Sequence, residues 1–110
     1  MKATGFIRGY MAKNLDEEKF LHHVVGVIEQ QLQEWDETYK VDIFKSEDYT
    51  VSVQQKTHIS EITISPSQLT SLQLQSPFSL DRYIWTKLKE HGVTFKDENG
   101  YGNYLDFVFR

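Results

Sequence analysis

Residues 97–104 hold the densest group of side chains that could bind an ion. The stretch DENGYGNY contains two acids, two asparagines and two glycines. On the calcium-loop pattern, Asp97 and Asn99 take the first and third positions, but the twelfth is Val108 instead of a bidentate glutamate. Asn99-Gly100 between two alternating segments is a strong hairpin signal. We therefore interpret this stretch as a turn and predict no ion site there.

The histidines and serines lack the spacing of catalytic or metal sites. His22 and His23 are neighbours on a predicted helix, so their side chains diverge by about 100° and cannot chelate one ion. Ser65 and Ser79 fit helix starts, and no serine lies in a G-x-S-x-G turn. The chain has no cysteine, which excludes disulfides and thiolate ligands. The sequence predicts no catalytic residue, no metal and no cofactor.

Composition and charge limit the classes of partner. A chain of 110 residues, 39% of them hydrophobic, fits a single domain spanning residues 1–110. Residues 14–48 carry ten acids against three lysines, within an overall net charge of −4. This acidity disfavours nucleic-acid and membrane partners. Residues 1–20 hold no apolar run of signal-peptide type, so we expect a cytoplasmic protein.

The N-terminal half predicts a strand, a long helix and a meander. Residues 3–11 alternate with period two, which predicts a strand with Ile7 towards the core and Phe6 and Tyr10 facing away. Apolar residues then recur at helical spacing as far as Trp35, behind Asn14 as the helix cap. Three further alternating segments between residues 39 and 64 predict an antiparallel meander.

The C-terminal half predicts two short helices and a hairpin. Ser65 and Pro66 form a helix start, Ser79 begins the next helix, and Gly92 lies just past its end. Residues 93–96 and 103–109 alternate again. The predicted fold is a two-layer α+β domain with a mainly antiparallel sheet of about five to six strands, and its first part resembles a ferredoxin-like arrangement.

The outward face of this predicted sheet is the first candidate binding surface. Tyrosine, phenylalanine and arginine are enriched at protein interfaces, and large apolar patches on a surface often mark them. The alternative is that residues 66–78 or a loop cover these side chains as a minor core. The candidate residues are Phe6, Arg8, Tyr10, Phe44 and Tyr104.

Glu29, Glu34 and Glu37 form a second candidate surface, an acidic face that would attract a basic partner. We therefore predict a non-catalytic protein-interaction module that binds itself or a protein partner, with inhibitors and immunity proteins as the analogous class. The alternative is a small-ligand binder or enzyme with a pocket between helix and sheet, lined by Trp35, Trp85 and tyrosines. Binding of single-stranded RNA ranks third, because no basic rim surrounds the aromatic residues.

Overall fold

The protein is an α+β chain in which helices cover one face of a three-stranded antiparallel sheet. A computed structural model describes residues 5–96 and 104–110. Its elements in chain order are α1 (Gly5–Asn14), α2 (Glu17–Trp35), β1 (Lys40–Lys45), β2 (Tyr49–Gln55), β3 (His58–Ile64), α3 (Pro66–Gln75), α4 (Ser79–Glu90) and α5 (Tyr104–Val108).

The long helix α2 is confirmed, but its cap differs from the prediction. Asp16 is the N-cap, and its carboxylate accepts a hydrogen bond from the Lys19 backbone N at 2.8 Å. Asn14 instead ends α1, where its Nδ2 donates to the Tyr10 carbonyl at 2.8 Å. The apolar stripe of α2 is buried along its whole length and forms the centre of the core: Phe20, Leu21, Val24, Val25, Ile28 and Leu32.

The meander is confirmed and supplies the other side of the core. The strands pair in the order β1-β2-β3, with Val41 opposite Val53 and Val51 opposite Ile62. Alternate residues of β2 and β3 are buried, as a half-covered antiparallel sheet requires. In β1 the corresponding residues, Val41 and Ile43, are only half-buried.

The two predicted helices after the sheet are confirmed, but Ser79 is the first residue of α4 and not its cap, because Phe78 is the N-cap and makes no side-chain capping hydrogen bond. The Ser65 hydroxyl accepts a hydrogen bond from the Gln68 backbone N at 3.1 Å, and Pro66 opens α3. Gly92 follows α4 with a φ of +96°, a conformation that favours glycine at a helix end. The buried stripe of α4 consists of the four predicted residues: Leu80, Ile84, Trp85 and Leu88.

The first and last predicted strands are wrong. Residues 5–14 and 104–108 are helices, and residues 93–96, the first strand of the predicted hairpin, are in neither a helix nor a strand, so the described residues contain three strands instead of five or six. A ferredoxin-like arrangement needs a strand before the long helix, and α1 occupies that position. The predicted turn at Asn99-Gly100 lies outside the described residues. No helix of the described ranges is both long and apolar enough to cross a membrane.

Candidate functional site

A buried ion pair joins α1 to α4. The guanidinium of Arg8 donates from Nη1 to Asp81 Oδ1, and both residues are almost completely buried, at 2% and 0% exposure. The second oxygen of Asp81 accepts a hydrogen bond from the hydroxyl of Tyr104 on α5. Trp85 Nε1 in turn donates to that hydroxyl at 3.0 Å. Three helices therefore meet at one carboxylate, and we refer to Arg8, Asp81 and Tyr104 as the buried cluster.

The electrostatics of the buried cluster follow from its burial. The pKa of Asp81 is raised, because loss of hydration is the largest effect. Four smaller effects lower it: the Arg8 charge, the hydrogen bonds from Tyr104 and Arg8, and the hydrogen bond from its own backbone N–H. Burial, together with the Asp81 charge, raises the pKa of Tyr104 well above its usual value. Asp81 lies in the first turn of α4, where the helix dipole favours a carboxylate.

Arg8 has further neighbours that fix its side chain. Its guanidinium carbon lies 4.7 Å from the centre of the Phe78 ring, in a cation–π arrangement. Its Nη2 is buried and has no hydrogen-bond partner among residues 5–96 and 104–110. Partial burial, followed by the Arg8 charge, lowers the pKa of His23. Because the buried cluster is closed to solvent, we interpret it as a structural contact that holds α1, α4 and α5 together rather than as a catalytic centre.

The opposite side of α1 exposes a row of large apolar residues. Phe6 and Tyr10 lie one turn apart and are 86% and 67% exposed, and we call these two side chains the α1 ridge. A shallow groove runs beside this ridge, between Gly9 and Lys13 of α1 and the end of α3, where Leu74 is 73% exposed. This α1 groove is largely apolar.

Gln73 and Gly9 set how α1 lies against α3. Gln73 is buried, and its Nε2 donates to the carbonyls of Ala12 and Leu15, at 2.9 and 2.8 Å. These carbonyls lie at the end of α1, where helical partners run out. A Cβ placed on Gly9 would lie 3.6 Å from Pro77 Cγ, so the helix passes close to the α3–α4 connection.

The structure does not bring the five predicted aromatic and arginine residues onto one face. Phe6, Tyr10 and Phe44 are exposed, whereas Arg8 and Tyr104 are buried. The predicted burial of Ile7 is also wrong, because it is 54% exposed. A helix places residues 8 and 12 inwards and residues 6 and 10 outwards, so the period-two assignment fails.

Phe44 lies on the outward face of the sheet, away from α1. Its cross-strand partner is Thr50, which pairs in turn with Thr63. The exposed residues of the next row are Asp42 and Glu61. The outward face is therefore mainly polar, and the predicted aromatic platform is not formed there.

The three predicted acidic residues do not share one face either. Glu29 is half-buried, and its Oε2 accepts a hydrogen bond from the Val41 backbone N at 2.9 Å, which ties α2 to β1. Glu34 is exposed on α2, five residues further along and so about 140° around the helix. Glu37 is exposed beyond the end of α2. Only Glu34 and Glu37 present their side chains to solvent.

The two tryptophans are neighbours, with ring centres 5.7 Å apart, but they do not line one pocket. Trp35 borders a cavity beneath the turn end of the β2–β3 hairpin, together with Tyr39. Trp85 is fully buried and packs between Trp35, Phe95 and Tyr104. The predicted helix–sheet pocket thus corresponds to a cavity with one tryptophan and one tyrosine.

Sequence reasoning missed the buried cluster and the α1 groove. Arg8 and Asp81 are 73 residues apart, and neither has a local pattern that indicates its partner. Within residues 5–96 and 104–110, no group of three or more histidine, aspartate or glutamate residues is arranged to hold a metal ion. Comparison with protein families, with curated proteins and with solved structures finds no match to this chain.

Proposed function

We propose that this protein is a non-catalytic interaction module, and that a second copy of the chain docks on the α1 ridge and the α1 groove. The observation that carries the proposal is the exposure of two aromatic side chains, Phe6 and Tyr10, on one face of one helix. Exposed apolar patches with aromatic residues are typical of protein interfaces.

The exposed aromatic area is a large part of the apolar area that a dimer interface needs. A fully buried aromatic side chain removes about 150–250 Å² from water, so Phe6 and Tyr10 at their observed exposures together offer roughly 300 Å². One partner's share of a standard interface is about 800 Å², of which about 450 Å² is apolar. The two rings supply about two thirds of that apolar share, and Leu74 in the adjoining groove adds to it.

The shape of the surface favours a second copy over an unrelated partner. In a two-fold symmetric dimer both copies contribute the same patch, so that patch must contain a projecting part and a receiving part. The α1 ridge projects, and the α1 groove lies directly beside it, bordered by Gly9 and Leu74. A two-fold axis near this boundary would seat each ridge in the other copy's groove.

The buried cluster supports the proposal by fixing α1. Arg8 anchors the inner side of the helix to Asp81, and Gln73 holds its C-terminal end. A ridge on a helix fixed in this way loses little conformational freedom on association, which favours affinity. The cytoplasmic location expected from the sequence is compatible with this role and is part of the proposal.

The oligomeric state tests the proposal directly. Light scattering after gel filtration, over about 1–100 µM protein to bracket micromolar dissociation constants, should give twice the mass of one chain. Tyr10→Glu should give the mass of one chain, because it places a charge at the centre of the ridge. Phe44→Glu is the matched control, since Phe44 is a 58% exposed aromatic residue on the sheet, and it should leave the dimer intact.

Circular dichroism should show that both variants remain folded, because both side chains are exposed. A wild-type chain that stays monomeric over the whole concentration range contradicts self-association. Dissociation by Phe44→Glu with Tyr10→Glu still dimeric would place the interface on the sheet instead.

A further inference from the structure

The cavity at the turn end of the β2–β3 hairpin has a floor of two cross-strand pairs. Val53 lies opposite Ser60, and Gln55 lies opposite His58. Side chains of alternate residues share one face of a strand, so both pairs point towards the helices. The inner pair is buried, whereas His58 is exposed at the mouth. The floor therefore changes from apolar to polar towards solvent.

The roof of the cavity comes from two other parts of the chain. Trp35, at the end of α2, and Tyr39 close one side, and the segment from Gly92 to Lys96 closes the other. The enclosed volume is about 220 Å³. Since a water molecule occupies about 30 Å³ of liquid, the space equals about seven waters. That is enough for a compact organic molecule but less than most drug-sized ligands need.

Ser60 is the residue that leaves this space open. It occupies a core-facing position of β3, where Ile62 and Ile64 follow on the same face. A branched apolar side chain there would project into the cavity. Ser60 lines the cavity instead, and no side-chain hydrogen bond from residues 5–96 or 104–110 engages its hydroxyl group.

Tyr39 also lines the cavity, and within the described ranges its hydroxyl makes no side-chain hydrogen bond. Burial, with the charge of Asp36 contributing, raises its pKa, so it stays protonated at neutral pH and can donate. Ser60 and Tyr39 can therefore each offer a hydroxyl group to a polar occupant of the cavity.

The charges at the mouth favour an anion. Lys96 and His58 are exposed at the rim, and among residues 5–96 and 104–110 the lining contains no carboxylate. Asp36, just past the end of α2, has oxygens that already accept hydrogen bonds from Thr38 and Gln55 at 2.6–3.0 Å. An ammonium group and hydroxyl donors are the groups that proteins use to hold a carboxylate.

We propose that this cavity binds a small carboxylate with a flat or branched apolar body. The apolar body lies against Trp35 and Val53, and the carboxylate accepts hydrogen bonds from Ser60 and Tyr39 and faces Lys96. The site is independent of the α1 surface, so it holds whether or not the chain dimerises.

Sodium benzoate is a suitable probe, with benzamide and benzylamine as the neutral and cationic molecules of the same shape. In ¹⁵N-labelled protein, benzoate should shift the amide signals of Val53, Ser60 and Val93 in a saturable way. We expect benzoate to bind at least about tenfold more tightly than benzylamine, because one favourable charge interaction near a surface contributes at least that much to affinity.

Two variants and one control complete the test. Lys96→Met should weaken benzoate binding about fivefold or more, because it removes the ammonium group. Lys19→Met is the matched control, since Lys19 is exposed about 24 Å along α2 from Trp35 and should leave benzoate binding unchanged. Ser60→Leu should fill the cavity and abolish the shifts. If that variant does not fold, the comparison of Lys96→Met with Lys19→Met still tests the proposal.

Three results would overturn the proposal. Benzylamine binding as tightly as benzoate would contradict the anionic class. Absence of saturable shifts up to about 20 mM of all three probes would contradict a site in this cavity. Equal weakening by Lys96→Met and Lys19→Met would show that only the general charge of the protein matters.

Discussion

The ion pair between Arg8 and Asp81 can be broken from either side, and we expect the two substitutions to differ. Asp81→Asn keeps an amide oxygen for the Tyr104 hydroxyl but leaves a buried guanidinium without a counter-ion. Arginine cannot release its proton to escape this situation. Breaking a buried pair in this way costs about 3–5 kcal/mol. Since domains are stable by about 5–15 kcal/mol, this is a large fraction of the total.

Arg8→Met leaves instead a buried carboxyl group that can take up a proton. The Arg8 charge opposes the rise that burial causes in the pKa of Asp81, so its removal raises that pKa further. The folded state then binds the proton more tightly than the unfolded state, whose carboxyl has the ordinary value of 3.8. The contribution of Asp81 to the free energy of unfolding of this variant should be fully present below pH 3.8 and should be lost as the pH rises through the folded pKa.

The slope of that fall can be worked out. Between the unfolded pKa and the folded pKa, each pH unit costs about 1.4 kcal/mol of unfolding free energy. The free energy of unfolding of the Arg8→Met variant should therefore fall as the pH rises from 4 towards the folded pKa of Asp81. In the Asp81→Asn variant this site should add no such pH dependence to the free energy of unfolding, because neither Arg8 nor Tyr104 titrates in this range.

Urea unfolding followed by circular dichroism at pH 4, 5 and 6 measures both effects. Glu18→Gln is the matched acid-to-amide control, because Glu18 meets Lys45 at 3.2 Å with both side chains about half exposed. Such exposed pairs contribute little, so its midpoint should stay close to that of the wild type. The reasoning is refuted if Asp81→Asn is no more destabilising than Glu18→Gln, or if the deficit of Arg8→Met is independent of pH.

Two further predictions concern the ends of helices. The pKa of Asp36 is lowered to about 2 by hydrogen bonds from the Thr38 backbone and hydroxyl and from Gln55. Gln55→Leu should raise it towards 3.8, which an NMR titration of the carboxyl carbon would detect; an unchanged midpoint would mean that Gln55 does not stabilise the ionised form. Because the pKa is depressed, Asp36 stabilises the fold above pH 3.8, and this contribution is lost as the pH falls through 2. Gln73→Leu should cost about 1–3 kcal/mol in urea unfolding, since it leaves the carbonyls of Ala12 and Leu15 without their buried donor. Amide exchange should then accelerate in α1 before the rest of the chain, and protection equal to the wild type would argue against this role.

The parts of the fold that the sequence predicts correctly are those fixed by local patterns. The helical stripe of α2, the alternation in β2 and β3, and the Ser65 cap each show their structure within a few residues. Long periodic segments and turn residues have a direct physical meaning, because each decides which side chains can share one face.

The prediction of a strand over residues 3–11 is wrong because it assumes that the apolar side of the alternation is buried. The buried residues of α1 are Arg8 and Ala12, four apart, and Arg8 is buried only because Asp81 provides its counter-charge. Local pattern cannot reveal a partner 73 residues away. The exposure of Phe6 and Tyr10 follows from the same helical period.

The sequence of α5 is also compatible with a helix. Tyr104, Leu105 and Val108 are buried and lie at spacings of one, three and four residues, as one helix face requires. The alternation of Leu105, Phe107 and Phe109 over a similar length predicted a strand instead. For so short a segment periodicity alone does not decide. For the cavity, the available signal was the serine at position 60 in an otherwise apolar row.

The contact between Glu29 and β1 has a consequence for the behaviour of the protein at high concentration. The first and third strands both lie at edges of the sheet, where unpaired backbone groups can template the addition of foreign strands. By engaging the Val41 N–H, the Glu29 carboxylate occupies one of the donors that an incoming strand would use. The Glu29 side chain, which connects α2 to β1, should therefore also hinder cross-β aggregation at this edge of the sheet.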